Sequence, residues 1–331
     1  MSVIEKLPIG LEDVERAAGR IAGEAVRTPL LTAPVLDDLV GARVFIKPEC
    51  LQRTGSFKFR GAYNRIAMMS PEERSRGIVA ASSGNHAQGV AEAARLFGVP
   101  STIVMPSDAP AVKRARTERS GATVVSYDRA REDRVAIAME IVARTGATFV
   151  APYDDPGVMA GQGTIGLEIA QDLLALGAPA PTVLVPVSGG GLMSGIATAM
   201  AALLPGTVVQ PVEPENFDDH TRSLQAGERL GNRERSGSLA DALMAETPGE
   251  ITFEVNRRLA SPGYAVADRP LLAAIAFAAR EFKLVTEPGG VIALAALMEN
   301  RAAFAGKTVV VVLSGGNVDD ALLAEALHQT A

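Results

Sequence analysis

Tryptophan is absent from this sequence and cysteine nearly so, with Cys50 standing alone. A single thiol excludes an intrachain disulfide framework and any zinc site built on paired cysteines. Cys50 reads as an inert buried thiol. The three histidines, His86, His220 and His328, are too scattered for a histidine-based metal centre or a Ser-His-Asp triad. Neither sign of charge dominates: 38 Asp and Glu stand against 32 Lys and Arg, without a basic run. Nucleic acid is therefore not expected as a partner. The first thirty residues hold charges at helical spacing and no apolar h-region, so no signal peptide is expected. The most apolar runs, such as TVVVVLSGG at 308–316, fall far short of a membrane span. No low-complexity tract or fixed-period repeat occurs, and no GxxxxGK[ST] loop. The expectation is a soluble cytoplasmic protein.

What is present is apolar and regularly punctuated. The chain has 331 residues, 47% of them hydrophobic, enough for about two domains. Short β-branched runs fall at 44–46, 78–81, 102–105, 123–126, 182–187, 207–212 and 308–313. They lack strict alternation, as strands buried on both faces do. Helical patterns lie at 87–97, 130–144, 164–176, 193–203, 271–282, 291–304 and 319–328. This order predicts an α/β fold with parallel sheets covered by helices. Residues 52–148 hold three strand–helix units bounded by the turns KPEC and APYDDPG. They read as a smaller α/β domain inserted into a larger one built from 1–51 and 149–331, with a ligand cleft between.

Three glycine-rich loops follow a strand and lead into a helix: SSGNHAQG (82–89), SGGGLMSG (188–195) and SGGNVDD (314–320). Backbone N–H groups at such a junction suit an anion. The SGGG loop, directly after TVLVPV, is the best phosphate cradle. A literal GxGxxG at 161–166 follows the polar stretch DDPGVMA instead of a buried strand, so it is rejected as a dinucleotide fingerprint. In GSFKFRGAYN (55–64), Lys58 lies between Phe57 and Phe59. Alone, F-K-F-R would be a half-exposed strand. Beside three anion-suited loops, apolar surroundings that favour a neutral amine point to pyridoxal phosphate (PLP), which needs a phosphate cradle, a Schiff-base lysine and a partner for its ring nitrogen.

Over nearly its whole length the chain resembles the fold type II, tryptophan synthase β-like, PLP enzymes, within them the serine/threonine dehydratase and serine racemase group. The resemblance is carried by KPECLQRTGSFKFRGA (47–62), SSGNHAQGVA (82–91), YDDPGVMAGQGTIGLEI (153–169), SGGGL (188–192), SLADAL (238–243), TEPGGVIALA (286–295) and LSGGNVD (313–319). It implies Lys58 as the Schiff-base lysine, Phe57 against the cofactor ring and Asn85 on the ring hydroxyl. Gly189, Gly190, Gly191 and Leu192 would hold the phosphate, and Ser314 would face the pyridine nitrogen. Ser82, Ser83, Asn85 and His86 belong to the loop that takes the substrate carboxylate. A homodimer is the family habit.

The activity so implied is a lyase: removal of the Cα proton by Lys58 and loss of a β-hydroxyl, giving a 2-oxo acid and ammonia, with L-threonine or L-serine as leading substrates. Other readings stay open. Ser83 stands where racemases place a second proton carrier on the face opposite the lysine, or is only a small loop residue. In VEPENFDD (212–219), Glu213, the Phe217 carbonyl and Asp219 match a magnesium or calcium site of racemase-like members, or form an ordinary acidic loop. Arg131 and Arg134 lie where some members bind an acidic β-substituent, as in a 3-hydroxyaspartate dehydratase, or are solvent-facing. Ala242 replaces a frequent glycine and would narrow the substrate end of the cleft. The chain ends soon after its last helix, so a regulatory domain and feedback inhibition by isoleucine are not expected. A β-replacement enzyme and a non-catalytic binding protein are the remaining rivals.

Overall fold

Short runs of valine, isoleucine and leucine build the strands of the computed structural model, which describes residues 7–109, 111–234 and 236–328. In chain order they are β1 (Arg43–Pro48), β2 (Ile78–Ala81), β3 (Ser101–Pro106), β4 (Thr123–Tyr127), β5 (Thr148–Phe149), β6 (Thr182–Pro186), β7 (Val208–Pro214), β8 (Tyr264–Val266) and β9 (Thr308–Leu313). They form a five-stranded sheet ordered β1-β9-β6-β7-β8 and a four-stranded sheet ordered β4-β3-β2-β5. Every pairing is parallel. Strands β6 and β9 are buried at every position, which is why their sequences do not alternate. Edge strand β4 is partly open, and its exposed residues are polar or small.

Parallel register puts the carboxyl ends of the strands on one side of each sheet. Pro48 lies opposite Leu313, and Pro186 opposite Val212. The loops after β1, β2, β6 and β9 therefore open at the strands' carboxyl ends, where open α/β sheets bind ligands. The loop before Lys58 is tied to the loop after β9 by an antiparallel bridge between Ser56 and Gly315.

Helices fill the sheet faces, and several differ from expectation for local reasons. The pattern at 130–144 becomes a helix over Arg134–Thr145, because the Asp133 carboxylate accepts from the N–H groups of Val135 and Ala136 and starts it there. The pattern at 271–282 is a helix Asp268–Phe277 that widens into a π turn at Ala278–Phe282 and stops at Lys283, with φ 60°. The pattern at 291–304 breaks at Asn300 into Pro288–Glu299 and Arg301–Phe304. GSFKFRGAYN does not form a strand: Lys58 is the first residue of the helix Lys58–Ala67.

The GxGxxG stretch lies inside the helix Pro156–Ala175. A Cβ on Gly161 would come 2.7 Å from Arg60 O, on Gly163 2.9 Å from Gly195 O, and on Gly166 2.8 Å from Ile196 O. These glycines let the helix cross close against Lys58–Ala67 on one side and Gly191–Leu203 on the other. They belong to packing, as the rejection of a nucleotide loop requires.

Candidate active site

Lys58 Nζ donates to the Pro152 carbonyl at 2.7 Å and lies 5.0 Å from the centre of the Phe57 ring. Loss of solvent around the amine, with no carboxylate to offset it, pushes its pKa down to about 8. A substantial neutral fraction near physiological pH makes it a usable base or nucleophile.

The loop after β6 is shaped by contacts that only glycine permits. A Cβ on Gly189 would sit 2.4 Å from the Tyr153 ring, on Gly190 2.5 Å from His220 Cε1, and on Gly191 2.9 Å from Tyr153 Cα. Gly190 has φ 96° and caps the helix Gly191–Leu203. The loop carbonyls are tied from behind: Gly189 O accepts from Thr252 Oγ1 at 2.5 Å and Gly249 N at 3.1 Å, and Gly190 O from Asn256 Nδ2 at 3.3 Å. Among the described residues no backbone carbonyl answers the N–H groups of Gly189, Gly190, Gly191 and Leu192. Four free N–H groups at a helix N-terminus make an anion cradle.

The loop after β2 begins the helix Asn85–Phe97. Ser82, Ser83 and Asn85 are partly exposed there, and Ser82 Oγ accepts from Gly84 N at 3.2 Å. His86 is different. Its Nε2 meets the Val150 carbonyl at 2.9 Å, and burial, with the charges of Lys58 and Arg134, pushes its pKa down to about 3. The imidazole is a neutral prop, and its unpartnered Nδ1 and its backbone N–H are the groups left to offer a ligand. Ser314, 5% exposed, ends beside Lys58, because its carbonyl accepts from Phe57 N at 3.1 Å.

Two residues here escaped the sequence reading. Tyr153 floors the glycine loop. Glu287 accepts from Asn85 Nδ2 at 2.5 Å, and burial, reinforced by Asp241, pushes its pKa up to about 7. TEPGG signalled the stretch, but its carboxylate acquires a partner only through contact across 202 positions of sequence.

Beneath Lys58 lies a buried group of two cations and two anions. Arg60 bonds Glu49 at 2.8 Å and Glu168 at 2.6 Å, while Lys47 reaches Glu168 at 2.5 Å and the Thr28 carbonyl at 2.6 Å. Burial alone would raise the Glu49 pKa, but Arg60 and Lys47 hold it below the usual carboxylate range. This group pins the helix that begins at Lys58 to β1 and to Pro156–Ala175.

The metal expectation finds no support. Both oxygens of Glu213 are engaged at 2.8 Å by the N–H groups of His220 and Thr221, which start the helix Asp219–Ala226. Asp219 Oδ1 accepts from Asn232 at 2.6 Å, while its buried Oδ2 has no partner, and burial together with the charge of Asp219 pushes the Glu213 pKa up to about 8. The Phe217 side chain is buried. Among the described residues no group of three or more His, Cys, Asp or Glu gathers as a metal centre. The carboxylate of Glu213 works as a helix cap. Of the two candidate arginines, Arg131 precedes its helix and is 85% exposed. Arg134 instead lines a cavity of ≈ 360 Å³ with Pro152, Tyr153 and Arg229. Ala242 faces Gly289, whose added Cβ would stand 3.4 Å away.

Pyridoxal phosphate fits these residues: a depressed lysine, a glycine-only cradle of free N–H groups and a serine hydroxyl converge. Among the described residues no helix is long and apolar enough to cross a membrane. Residues 21–315 match the family model "Pyridoxal-phosphate dependent enzyme". The L-threonine ammonia-lyase of Thermotoga maritima is 43% identical, covering 94% of this chain and 76% of its own. An L-threo-3-hydroxyaspartate ammonia-lyase of Pseudomonas sp. is 45% identical, covering 93% and 95%. The structure of maize serine racemase superposes with a TM-score of 0.89 at 34% identity, covering 97% of each chain. The chain belongs to the pyridoxal phosphate-dependent enzymes of fold type II, in the group of serine/threonine dehydratases and serine racemases.

Proposed function

We propose that the protein is an ammonia-lyase that takes a β-hydroxy amino acid, L-threonine or L-serine first, to a 2-oxo acid and ammonia. The observation that carries this is the Lys58 amine, stripped of solvent and without a counter-ion, beside an anion cradle. When bound, the cofactor supplies the sink for electrons released at the substrate Cα. Lys58 would anchor it, and its Nζ would take the Cα proton. The N–H groups of Gly189, Gly190, Gly191 and Leu192 hold its phosphate, the Ser314 hydroxyl meets its ring nitrogen, and Asn85 its ring oxygen. Ser82, Ser83 and the first-turn N–H groups of Asn85 and His86 receive the substrate carboxylate. Breaking Cα–H and Cβ–O expels water; the resulting enamine takes water back as it hydrolyses to the 2-oxo acid and ammonia. Two sheets support a division into 1–51 with 149–331 and an inserted 52–148, though β5, paired to β2, shifts the return to after Phe149.

One observation favours a second reading. Arg134 lines the cavity beside Pro152, whose carbonyl holds Lys58, so an acidic β-substituent has a cation waiting. A relative named for L-threo-3-hydroxyaspartate fits that reading. The test is ammonia and 2-oxo acid release from L-threonine, L- and D-serine and the 3-hydroxyaspartate isomers, with chiral analysis of the remaining amino acid. Release from threonine or serine is expected, and is abolished by Lys58→Ala. Release from 3-hydroxyaspartate alone moves the assignment to Arg134. Inversion without release makes Ser83 a second proton carrier and the enzyme a racemase. A Lys58→Ala protein of full activity sinks every version.

A further inference from the structure

Four side chains form one hydrogen-bonded chain across the cleft. Arg116 Nη1 donates to Asn317 Oδ1 at 3.0 Å, Asn317 Nδ2 to Asn85 Oδ1 at 2.7 Å, and Asn85 Nδ2 to Glu287 Oε1 at 2.5 Å. Asn317 Nδ2 also donates to the Thr54 carbonyl at 2.9 Å. The members alternate between elements far apart in sequence: the helix Ala111–Arg119, the loop after β9, the start of Asn85–Phe97, and the residue before Pro288–Glu299.

The ends of this chain differ in kind. A guanidinium can only donate, and an ionised carboxylate can only accept. An amide is nearly symmetric in shape and can turn over, exchanging oxygen for nitrogen. Between these two ends neither amide has that freedom: reversal would set donor against donor at Arg116 and acceptor against acceptor at Glu287. Asn85 is thereby held with its carbonyl spent on Asn317 and one N–H spent on Glu287. Its second N–H is the group left to give.

We propose that Glu287 is a positioning residue: as the accepting end of this chain it locks Asn85 to present an N–H, and not its carbonyl, to the cofactor ring oxygen. The inference rests on the reading that pyridoxal phosphate binds here with that oxygen at Asn85. A donor there favours the ring oxygen as an anion. Glu287 is suited to the task because it is closely enclosed. It is 6% exposed, and a Cβ on neighbouring Gly315 would come within 2.0 Å of Oε1. The charged groups that face it are Asp241 and Lys113, which pair with each other at 3.3 Å. Its raised pKa means the carboxylate regains a proton, and with it the ability to donate, toward acidic pH. The lock is firmest above neutrality.

The test uses the full chain, freed of cofactor and reloaded, as wild type, Glu287→Gln and Asn317→Asp. Glutamine keeps the shape of Glu287 but can donate or accept, so the chain loses its fixed end. Asn317→Asp keeps an acceptor for Arg116 while removing the donor to Asn85. The readouts are the dissociation constant for pyridoxal phosphate and the pH dependence of the visible absorbance of the loaded protein. Each variant is expected to bind the cofactor about tenfold more weakly, the loss of one charge-assisted hydrogen bond, and to move the pH at which the visible band changes. Should Glu287→Gln fail to fold, Asn317→Asp reads the same lock from its other end. Variants with lowered stability but wild-type dissociation constants and an unmoved absorbance profile overturn the proposal, leaving Glu287 a structural residue. A wild-type protein that forms no coloured complex overturns the functional reading itself.

Discussion

At Lys58 the folded chain holds a proton less tightly than the unfolded chain does, because burial drops the pKa from 10.5 to about 8. Below about pH 8 the native amine carries its charge in a place that disfavours it, so the fold bears the full penalty. Between the two pKa values the native state has released a proton that the unfolded state still binds, and stability rises with pH. Above 10.5 the penalty is gone. Cofactor-free Lys58→Met is therefore expected to exceed the cofactor-free parent in stability at pH 7 by about 2 kcal/mol, the ~3 kcal/mol that the drop from 10.5 to about 8 would give being reduced because the side chain is only partly buried. The gap should close by about pH 10.5, as urea unfolding at both pH values would measure. An equal gap at both would mean burial is not the cause. Lys58 could be singled out in the sequence as a candidate because three glycine loops accompany F-K-F-R, which alone would read as a strand. Glu287 was not legible, since nothing local distinguishes a carboxylate that meets Asn85 from one that meets water.

Elements were legible where their patterns were long. The three strand–loop–helix junctions stand where the glycine loops predicted them, at β2, β6 and β9. The short strands β5 and β8 were missed, because two or three residues carry no period. The helix Lys58–Ala67 was missed for another reason: alternating Phe-Lys-Phe-Arg imitates a strand until tertiary packing claims it between Asn85–Phe97 and Pro156–Ala175. The contact between Pro156–Ala175 and Gly191–Leu203 is one place where an element-level change should be costly. A Cβ on Gly195 would lie 2.3 Å from Met159 O, a backbone atom that cannot yield cheaply. Gly195→Ala is expected to destabilise by about 1–3 kcal/mol, the usual range for overpacking. Gly19, inside the helix Leu11–Ile21, has no atom within 4 Å of its added Cβ. Gly19→Ala should stabilise by roughly 0.5–1 kcal/mol through helix propensity alone. Thermal melting of both variants measures the contrast; equal shifts would show that the helix crossing tolerates a methyl group.

For the molecule as a whole, the proposed chemistry requires that the piece carrying Lys58 stay fixed relative to the glycine loop after β6. Apolar packing alone resists sliding poorly, since one methyl contact replaces another at little cost. Directional bonds do not permit this. Arg60 supplies them from the first turn of the Lys58 helix, reaching Glu49 after β1, Glu168 and Thr164 on Pro156–Ala175, and the Val26 carbonyl. The guanidinium is fully buried, and its planar fork serves two carboxylates together. Arg60→Met leaves Glu49 and Glu168 facing Lys47 alone, so one buried anion loses its counter-charge. The expected cost is about 3–5 kcal/mol, the range for breaking a buried ion pair from one side. Arg60→Lys keeps the charge without the fork, so it should recover only part of that loss. Burial also excludes counter-ions, so the difference between parent and Arg60→Met should persist in 1 M salt, where the Debye length is about 3 Å. Urea unfolding at low and high salt measures all three. A cost below about 1 kcal/mol, typical of a surface pair, or one erased by salt, would mean that apolar packing alone keeps the Lys58 helix in register.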